Sequence, residues 1–239
     1  MWLISSRVKV EDSGLLEGFR DSHCHLLPGV DDGVKEVDET LRILQMWETM
    51  GMKEVWLTPH IMEDTPNMTD SLQKGFESLK GYYHGNIGLH LAAENMMDNL
   101  FLERLVRKDL MPLGKTGNRL LVETSYYNPP MDMDRTIQRI RECGYIPVLA
   151  HPERYQYMDM QQYQTWKDVG VMLQLNVPSL VGAYGPEVQR KAEMLLDKGM
   201  YDYCGTDTHS IGFVKYFLNG RITRRAVKKV QQIVVNQDI

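Results

Sequence analysis

Cysteine is scarce in this chain of 239 residues. Only Cys24, Cys143 and Cys204 occur, and none of them belongs to a Cys-x-x-Cys pair. An odd number of cysteines without that spacing indicates neither a disulfide framework nor a zinc ribbon. We therefore expect free thiols in a reducing compartment, which places the protein in the cytoplasm.

Long apolar runs and an excess of positive charge are also absent. No stretch approaches the ~20 apolar residues that a membrane helix needs, and the first residues lack the apolar stretch of a signal peptide. The net charge is −5, from 27 basic and 32 acidic side chains. A mildly acidic chain lacks the electrostatic footprint of proteins that hold nucleic acid or anionic lipid by bulk charge. We expect no nucleic-acid partner and no membrane insertion.

Short β-branched or aromatic runs alternate along the chain with longer stretches of helical spacing. In one such stretch Val37, Leu41, Leu44 and Trp47 recur at i, i+4, i+7 and i+10, and Gly51 follows as a stop signal. Seven strand-then-helix units of this kind predict parallel strands joined by helical crossovers. The predicted strands cover residues 18–22, 54–58, 87–92, 119–122, 145–150, 171–175 and 201–205.

Six of the seven predicted strands run into a histidine or a carboxylate. In an open sheet of strands spaced ~4.8 Å apart, the outermost of these side chains would lie more than ~20 Å from one another. A closed barrel brings all strand ends to one mouth, where barrel enzymes keep their active sites. We therefore predict an α/β fold of the (β/α)7 barrel type, similar to a TIM barrel, as one domain over residues 18–239. Residues 1–17 form an N-terminal extension for which the sequence predicts no structure.

Five of the seven histidines directly follow a predicted strand, which points to a metal site. Alternate residues of a strand face the same side, so His23 and His25 face together while Cys24 points away to pack. Nine candidate ligands are more than one ion of four to six positions can use, so two or three divalent ions are predicted. Nitrogen and oxygen ligands without thiolate suit Mn²⁺, Fe²⁺ or Zn²⁺. The candidate ligands are His23, His25, Asp32, His60, Glu94, Glu123, His151, Asp207 and His209.

An arginine beside these ligands suggests an anionic substrate. Three divalent ions would bring about six positive charges against four carboxylates, and this excess favours a phosphate ester. Arg154 lies three residues beyond His151, where its planar guanidinium can bind phosphate bidentately. The alternative is a surface arginine paired with Glu153 or Glu187. Tyrosines after the fourth and fifth strands either line a pocket for an aromatic ring or pack at the barrel rim. They are Tyr126, Tyr127, Tyr155 and Tyr157.

These residues resemble the polymerase-and-histidinol-phosphatase (PHP) superfamily and, within it, the bacterial capsule-operon tyrosine phosphatases of CpsB/YwqE type. Order and approximate spacing agree over residues 18–215. The matching segments are Asp21-Ser-His23-Cys-His25, Asp31-Asp32-Gly33, Thr58-Pro-His60, Ala93-Glu94, Val122-Glu123, His151-Pro-Glu-Arg154-Tyr155 and Gly205-Thr-Asp207-Thr-His209.

The resemblance implies a distorted (β/α)7 barrel that holds three metal ions, commonly manganese. It implies that Glu94 bridges two of the ions. The first ion would be held by His23, His25, Glu94 and Asp207, the second by Glu94, Glu123 and His151, and the third by Asp32, His60 and His209.

The resemblance also implies the reaction. Members of this branch hydrolyse phosphotyrosine on the tyrosine-rich tails of kinases that regulate polysaccharide export, with a metal-activated water as nucleophile. We expect Arg154, Glu94 and Asp207 to be catalytic. Glu123 stands where histidinol phosphatases more often have histidine, which favours the tyrosine-phosphatase branch.

Substrate contacts are expected from Arg154, Tyr127 and Tyr155. The loop after His209 lacks a second phosphate-binding arginine that the family pattern contains, and Lys215 is the expected replacement unless the substrate preference differs.

Two alternatives remain at this point. A small-molecule phosphatase, for example one for histidinol phosphate, would share every metal ligand and differ only in its pocket. A catalytically inert, metal-stabilised binding module would lack ligands or Arg154, and this sequence has the full set. A thiol phosphatase is disfavoured because no cysteine has an arginine six residues further on.

Overall fold

Parallel strands connected by helices make up most of the protein, for which a computed structural model describes residues 7–239. Within these residues there are eleven β-strands and eight α-helices. The strands are β1 (Arg7–Lys9), β2 (Arg20–Cys24), β3 (Glu54–Leu57), β4 (His60–Ile61), β5 (Gly88–Leu91), β6 (Glu94–Met96), β7 (Arg119–Glu123), β8 (Ile146–Ala150), β9 (Met172–Asn176), β10 (Tyr203–Gly205) and β11 (Arg221–Thr223). The helices are α1 (Val37–Thr49), α2 (Thr69–Tyr82), α3 (Asn99–Arg107), α4 (Met133–Glu142), α5 (Met160–Asp168), α6 (Pro186–Asp197), α7 (Ile211–Asn219) and α8 (Arg224–Asn236).

The parallel strands divide into a six-stranded sheet, ordered β10-β9-β8-β7-β6-β4, and a three-stranded sheet, ordered β2-β3-β5. The prediction of one uninterrupted seven-stranded sheet is therefore met only in part. The reason lies at Pro59, which has no amide hydrogen and separates β3 from β4. Before it, β3 pairs with β5, and after it, β4 pairs with β6. The result is an α/β fold with a curled, half-barrel parallel sheet.

The two sheets also meet along β2 and β10. The Ser22 hydroxyl donates to the Cys204 carbonyl at 2.8 Å, and the Asp207 amide donates to the His23 carbonyl at 2.8 Å. This contact brings the beginning and the end of the barrel region side by side.

The helix predicted from the spacing of Val37, Leu41, Leu44 and Trp47 is confirmed as α1. Leu44 and Trp47 are fully buried, because apolar residues three or four apart lie on the same face of a helix. A different segment was missed: the residues after His209, predicted as a loop, form α7. Ser210 caps this helix by accepting a hydrogen bond from the Phe213 amide at 3.2 Å.

Part of the predicted N-terminal extension is packed against the end of the chain. Strand β1 pairs antiparallel with β11, and Leu15 and Leu16 are buried in the main hydrophobic cluster. The rest of the extension, residues 1–6, lies outside the residues that the structure describes.

The curled sheet buries apolar side chains on both faces. On β7, Leu120 and Val122 belong to the main cluster under the helices, whereas the alternate residue Leu121 joins a second cluster with Tyr203 and Ile239. Both clusters are close-packed around the strands, so the strand ends that carry the polar residues are held by rigid elements.

Gln237 closes the end of the sheet opposite the polar strand ends. Its amide oxygen accepts from the buried Cys204 amide at 3.1 Å, and its amide nitrogen donates to the Arg20 carbonyl. The Gln237→Ala substitution leaves both backbone groups without this partner, and we expect it to lower the free energy of unfolding by about 1–3 kcal/mol. Urea denaturation measures this change. The exposed Gln232→Ala serves as the control and should change stability by less than about 0.5 kcal/mol; equal losses in the two variants would contradict the assignment.

Candidate metal centre

Histidines and carboxylates converge where the parallel strands end. Strands β2, β4, β6 and β7 carry His23, His60, Glu94 and Glu123. Residues His60 and Glu94 are register partners on neighbouring strands. Because the carboxyl ends of parallel strands lie at one edge of a sheet, side chains distant in sequence become neighbours there.

All nine predicted metal ligands meet in this centre. Four groups form in which one ligand atom of each residue lies within 4.8 Å of the others, and each group could hold a metal ion. The groups are His25, Asp32, His60 and His209; His23, His25 and Asp207; His23, Glu94 and His151; and His60, Glu94 and Glu123.

Glu94 occupies the middle of the centre and is fully buried. Its Oε2 lies 3.1 Å from His23 Nε2, 3.2 Å from His25 Nε2 and 3.2 Å from His60 Nδ1. Its Oε1 lies 2.9 Å from His151 Nε2. One carboxylate thus contacts four imidazoles from three different segments of the chain.

The donor set fits a cation better than it fits hydrogen bonds. Glu94 Oε2, His60 Nδ1 and His151 Nδ1 are buried and have no hydrogen-bond partner among the described residues. A buried polar atom without a partner costs free energy, and a cation beside Glu94 Oε2 and His60 Nδ1, which lie 3.2 Å apart, would satisfy both atoms. These side chains could therefore hold two or more ions.

The charges of the centre support the same interpretation. Burial lowers the pKa of His23, but the Glu94 and Asp207 carboxylates outweigh it and raise that pKa to about 9. Burial raises the pKa of Glu94, yet the surrounding His23 and His60 hold it well below its usual range. Glu94 therefore stays ionised, and His23 takes up a proton that balances its charge. Divalent cations would compete with those protons for the same lone pairs.

Two side chains outside the nine ligands orient the histidines. Asp31 Oδ2 lies 2.8 Å from His25 Nδ1, and Gln174 Oε1 lies 2.7 Å from His23 Nδ1. Such partners fix the ring orientation and the tautomer of a ligating histidine. The position of Asp31 next to Asp32 was a sequence signal for the first of them. Gln174 gave no comparable signal, because its contact joins residues 151 positions apart.

The backbone adopts unusual conformations at two ligands. His151 and Asp207 have φ values of 35° and 51°, in a region that residues other than glycine rarely adopt. Gly33 approaches the His25 carbonyl so closely that a Cβ atom there would lie 2.2 Å from it. Strained residues and close approaches of this kind cluster where a fold positions functional groups.

Arg154 faces the centre. Its Nη1 donates to Asp207 Oδ2 at 2.8 Å, and its Cζ lies over the rings of Tyr126 and Tyr184, at 4.3 and 4.4 Å from their centroids. A surface ion pair with Glu153 or Glu187 is not observed among the described residues. The remaining N–H groups of Arg154 have no hydrogen bond within residues 7–239, so they are available to an anion.

Glu153 forms hydrogen bonds with residues other than Arg154. It is buried, accepts from the Asn176 amide at 3.0 Å and the Ser179 hydroxyl at 2.8 Å, and holds the loop after β9 in place.

The other three predicted substrate contacts differ in their exposure. Tyr155 is completely buried, and its hydroxyl accepts a hydrogen bond from the Thr124 backbone amide at 3.3 Å. It therefore packs inside the protein and exposes no surface to a substrate ring. Tyr127 is 68% exposed on the loop after β7. Lys215 is exposed on α7, and none of its described contacts reaches a predicted ligand. The replacement of an arginine by Lys215 was expected from a loop, whereas the structure has Lys215 in α7.

A family and several known proteins are similar to this chain in sequence. A family described as "Capsular polysaccharide synthesis, CpsB/CapC" matches residues 19–219. The tyrosine-protein phosphatase YwqE of Bacillus subtilis (strain 168) is 24% identical over 197 residues, which cover 80% of this chain and 77% of YwqE. The tyrosine-protein phosphatase CpsB of Streptococcus agalactiae serotype V is 24% identical over 217 residues, which cover 83% of this chain and 86% of CpsB.

A solved structure shares the fold. It comes from the crystal structures of YwqE from Bacillus subtilis and CpsB from Streptococcus pneumoniae, described as unique metal-dependent tyrosine phosphatases. The TM-score is 0.75 at 20% sequence identity, and the match covers 89% of this chain and 85% of that chain. At this identity the likeness shows the α/β fold with its curled parallel sheet.

The role of Asp31 can be measured directly. The Asp31→Asn substitution keeps the size of the side chain but removes the negative charge beside His25, and we expect ~10–100-fold weaker binding of Mn²⁺. Calorimetric titration of the metal-free protein with Mn²⁺ measures the affinity. Asp64→Asn, at an exposed position, is the matched control and should bind Mn²⁺ as the unmodified protein does. Equal affinities in both variants would show that Asp31 does not orient a ligand.

Proposed function

We propose that this chain, which belongs to the CpsB/CapC family of capsular polysaccharide synthesis, is a metal-dependent phosphatase that hydrolyses phosphotyrosine in proteins. The observation that carries the proposal is the convergence of nine histidines and carboxylates around Glu94, with Arg154 directly beside them. Proteins similar to this chain from two genera, Bacillus and Streptococcus, are named or described as tyrosine phosphatases. The substrate class is carried over from those names.

We infer that the centre holds two to three divalent ions, with Mn²⁺ preferred and Fe²⁺ or Zn²⁺ as alternatives. The residues that would hold them are the nine ligands, with Glu94 shared between two ions because it belongs to two of the four groups. Bound divalent ions would supply an activated water and offset the charge of the phosphate. The protein's contribution is to keep the carboxylates ionised and the imidazoles oriented.

Arg154 would bind the phosphate. Its guanidinium is held at one end by Asp207 and keeps the other N–H groups free, so it can donate two parallel hydrogen bonds to phosphate oxygens. Its pKa is raised above the ordinary value, since the attraction of Asp207 outweighs burial, and it therefore stays charged. The phenol leaving group has a pKa of about 10, so the site needs little general-acid assistance.

A cavity beside Arg154 can receive the segment that carries the phosphotyrosine. Its volume is about 810 Å³, and Tyr184, Pro186 and Val188 are among the residues that line it. We propose that the substrate is the tyrosine-rich tail of a kinase that regulates polysaccharide export. The three free cysteines, two of them buried, support a cytoplasmic location for this reaction. No helix among residues 7–239 is long and apolar enough to span a membrane.

We also infer that the parallel strands close into a distorted (β/α)7 ring, which makes residues 18–239 one PHP-type domain. Two hydrogen bonds continue across the strand interruption, from the Ala92 amide to the Leu57 carbonyl at 2.9 Å and from the Glu94 amide to the Pro59 carbonyl at 3.1 Å. If each interrupted strand is counted once, the contact between β2 and β10 completes a ring of seven.

Metal removal gives one test. The protein is expected to contain two to three equivalents of divalent transition metal after reconstitution, because nine ligands are more than a single ion can use. Ions that bind only the folded state stabilise it, so chelation should lower the melting temperature. Elemental analysis and thermal unfolding with and without chelator provide the measurements. At most one equivalent of metal after reconstitution would overturn the proposed ion count.

Substitution of the arginine gives a second test. Arg154→Ala should reduce kcat/KM on phosphotyrosine peptides. The reduction should correspond to about 2–4 kcal/mol of lost transition-state stabilisation, the scale of a lost charge-assisted contact. Arg42→Ala, at an exposed position on α1, is the matched control and should leave kcat/KM unchanged. The variants Cys24→Ser, Cys143→Ser and Cys204→Ser should each keep the activity, because the proposed reaction does not use a thiolate.

The same assays can contradict the proposal in three ways. Activity that is insensitive to chelators would exclude the metal centre. Inactivation of the unmodified protein by thiol alkylation, together with loss of activity when one of the cysteines is replaced by serine, would indicate a cysteine nucleophile. A higher kcat/KM on histidinol phosphate than on all phosphotyrosine peptides would favour the small-molecule phosphatase.

A further inference from the structure

Tyr184 contacts the centre although no sequence pattern pointed to it. It lies in the short loop that leads into α6, between Gly182 and Gly185. Both glycines have positive φ values, 83° and 93°, which other residues rarely adopt. This backbone returns the tyrosine ring toward the strand ends, where it is largely buried.

The ring of Tyr184 packs on Arg154. The guanidinium carbon is 4.4 Å from the Tyr184 centroid and 4.3 Å from the Tyr126 centroid. A cation over an aromatic face is attracted by the electron density of the ring, more strongly when the contact is shielded from water. Two rings around one planar guanidinium leave its edge as the only part that can reach an anion.

The hydroxyl of Tyr184 reaches the same carboxylate as Arg154. It accepts from Asn176 Nδ2 at 3.0 Å and lies 3.4 Å from Asp207 Oδ2. Asn176 Nδ2 also donates to Asp207 Oδ2 at 2.9 Å. Since the contact between Tyr184 and Asp207 is long, the hydroxyl contributes less to this arrangement than the ring does.

Asp207 divides its two oxygens between these partners and the metal centre. Oδ2 receives Arg154 and Asn176, whereas Oδ1 lies 3.4 Å from His23 Nε2 and 3.3 Å from His25 Nε2. An arginine that was free to rotate could place a second N–H group on this carboxylate and lose its orientation toward substrate. A group that fixes the guanidinium plane prevents this.

We propose that Tyr184 is a positioning residue that holds the Arg154 guanidinium between its own ring and that of Tyr126, with the free edge directed to a phosphate. This inference rests on the proposed function and goes further by assigning a role to a residue that binds neither metal nor phosphate. Tyr184 acts through Arg154, so its effect requires that arginine.

The test uses inorganic phosphate as the probe and the metal-loaded full chain. Tyr184→Leu removes the ring and should raise the Kd for inorganic phosphate by about tenfold, the scale of a shielded cation–aromatic contact. Tyr184→Phe keeps the ring and should stay within about threefold of the unmodified protein. Tyr82→Leu, at an exposed tyrosine on α2, is the matched control and should leave the Kd unchanged. If Tyr184→Leu does not fold, Tyr184→Met is measured in its place.

A double-mutant cycle separates positioning from general packing. In the Arg154→Ala background, removal of the Tyr184 ring should change the Kd by less than about twofold, because the residue it acts on is gone. Metal content, measured by elemental analysis, should be the same in all variants. Equal effects of the Tyr184 substitution in both backgrounds, a Tyr184→Phe loss as large as that of Tyr184→Leu, or loss of metal would overturn the inference.

The design also distinguishes the two proposals. If the unmodified protein cleaves no phosphotyrosine peptide but the phosphate affinities follow the expected pattern, the proposed substrate is wrong and the role of Tyr184 stands. If the peptides are cleaved and the pattern fails, only the role of Tyr184 is overturned.

Discussion

The contact on which the rest of the site depends is that of the buried Glu94 carboxylate with four imidazoles. Removing a charged group from water is costly unless opposite charges or a cation compensate it. His23, His25, His60 and His151 supply this compensation from three segments of the chain. The strand ends therefore have to meet at one point, and the curled sheet is the architecture that allows it.

Around this carboxylate two kinds of side chain lie next to each other. Histidines and carboxylates that could hold cations are on one side, and the Arg154 guanidinium is on the other. Asp207 joins the two sides because each of its oxygens serves one of them. The neighbouring Asn176, which is buried, also donates through its Nδ2 to the Asp207 oxygen that Arg154 contacts.

Much of this arrangement could be predicted from the sequence, because strands and helices each leave a regular pattern of apolar and polar residues. Polar residues directly after apolar strands predicted the ligand set, and apolar residues at helical spacing predicted helices such as α1. Contacts between distant side chains have no such period, so the roles of Gln174 and Tyr184 became visible only in the fold. Helix α7 was missed because Gly212 in its first turn disfavours a helix locally. Its cap at Ser210 and the burial of Phe217 outweigh that preference.

The spread of the ligands along the chain has a consequence for biosynthesis. His23 and its partner Gln174 are 151 positions apart, and the hydroxyl of Ser22 reaches a carbonyl 182 positions away. Contacts of such long range form late, since the entropy of closing a large loop must be overcome first. On the ribosome the earliest histidines emerge long before their partners, so the nascent chain carries isolated imidazoles and carboxylates. The set of side chains that could hold cations is thus complete only when the last of these segments has folded into place.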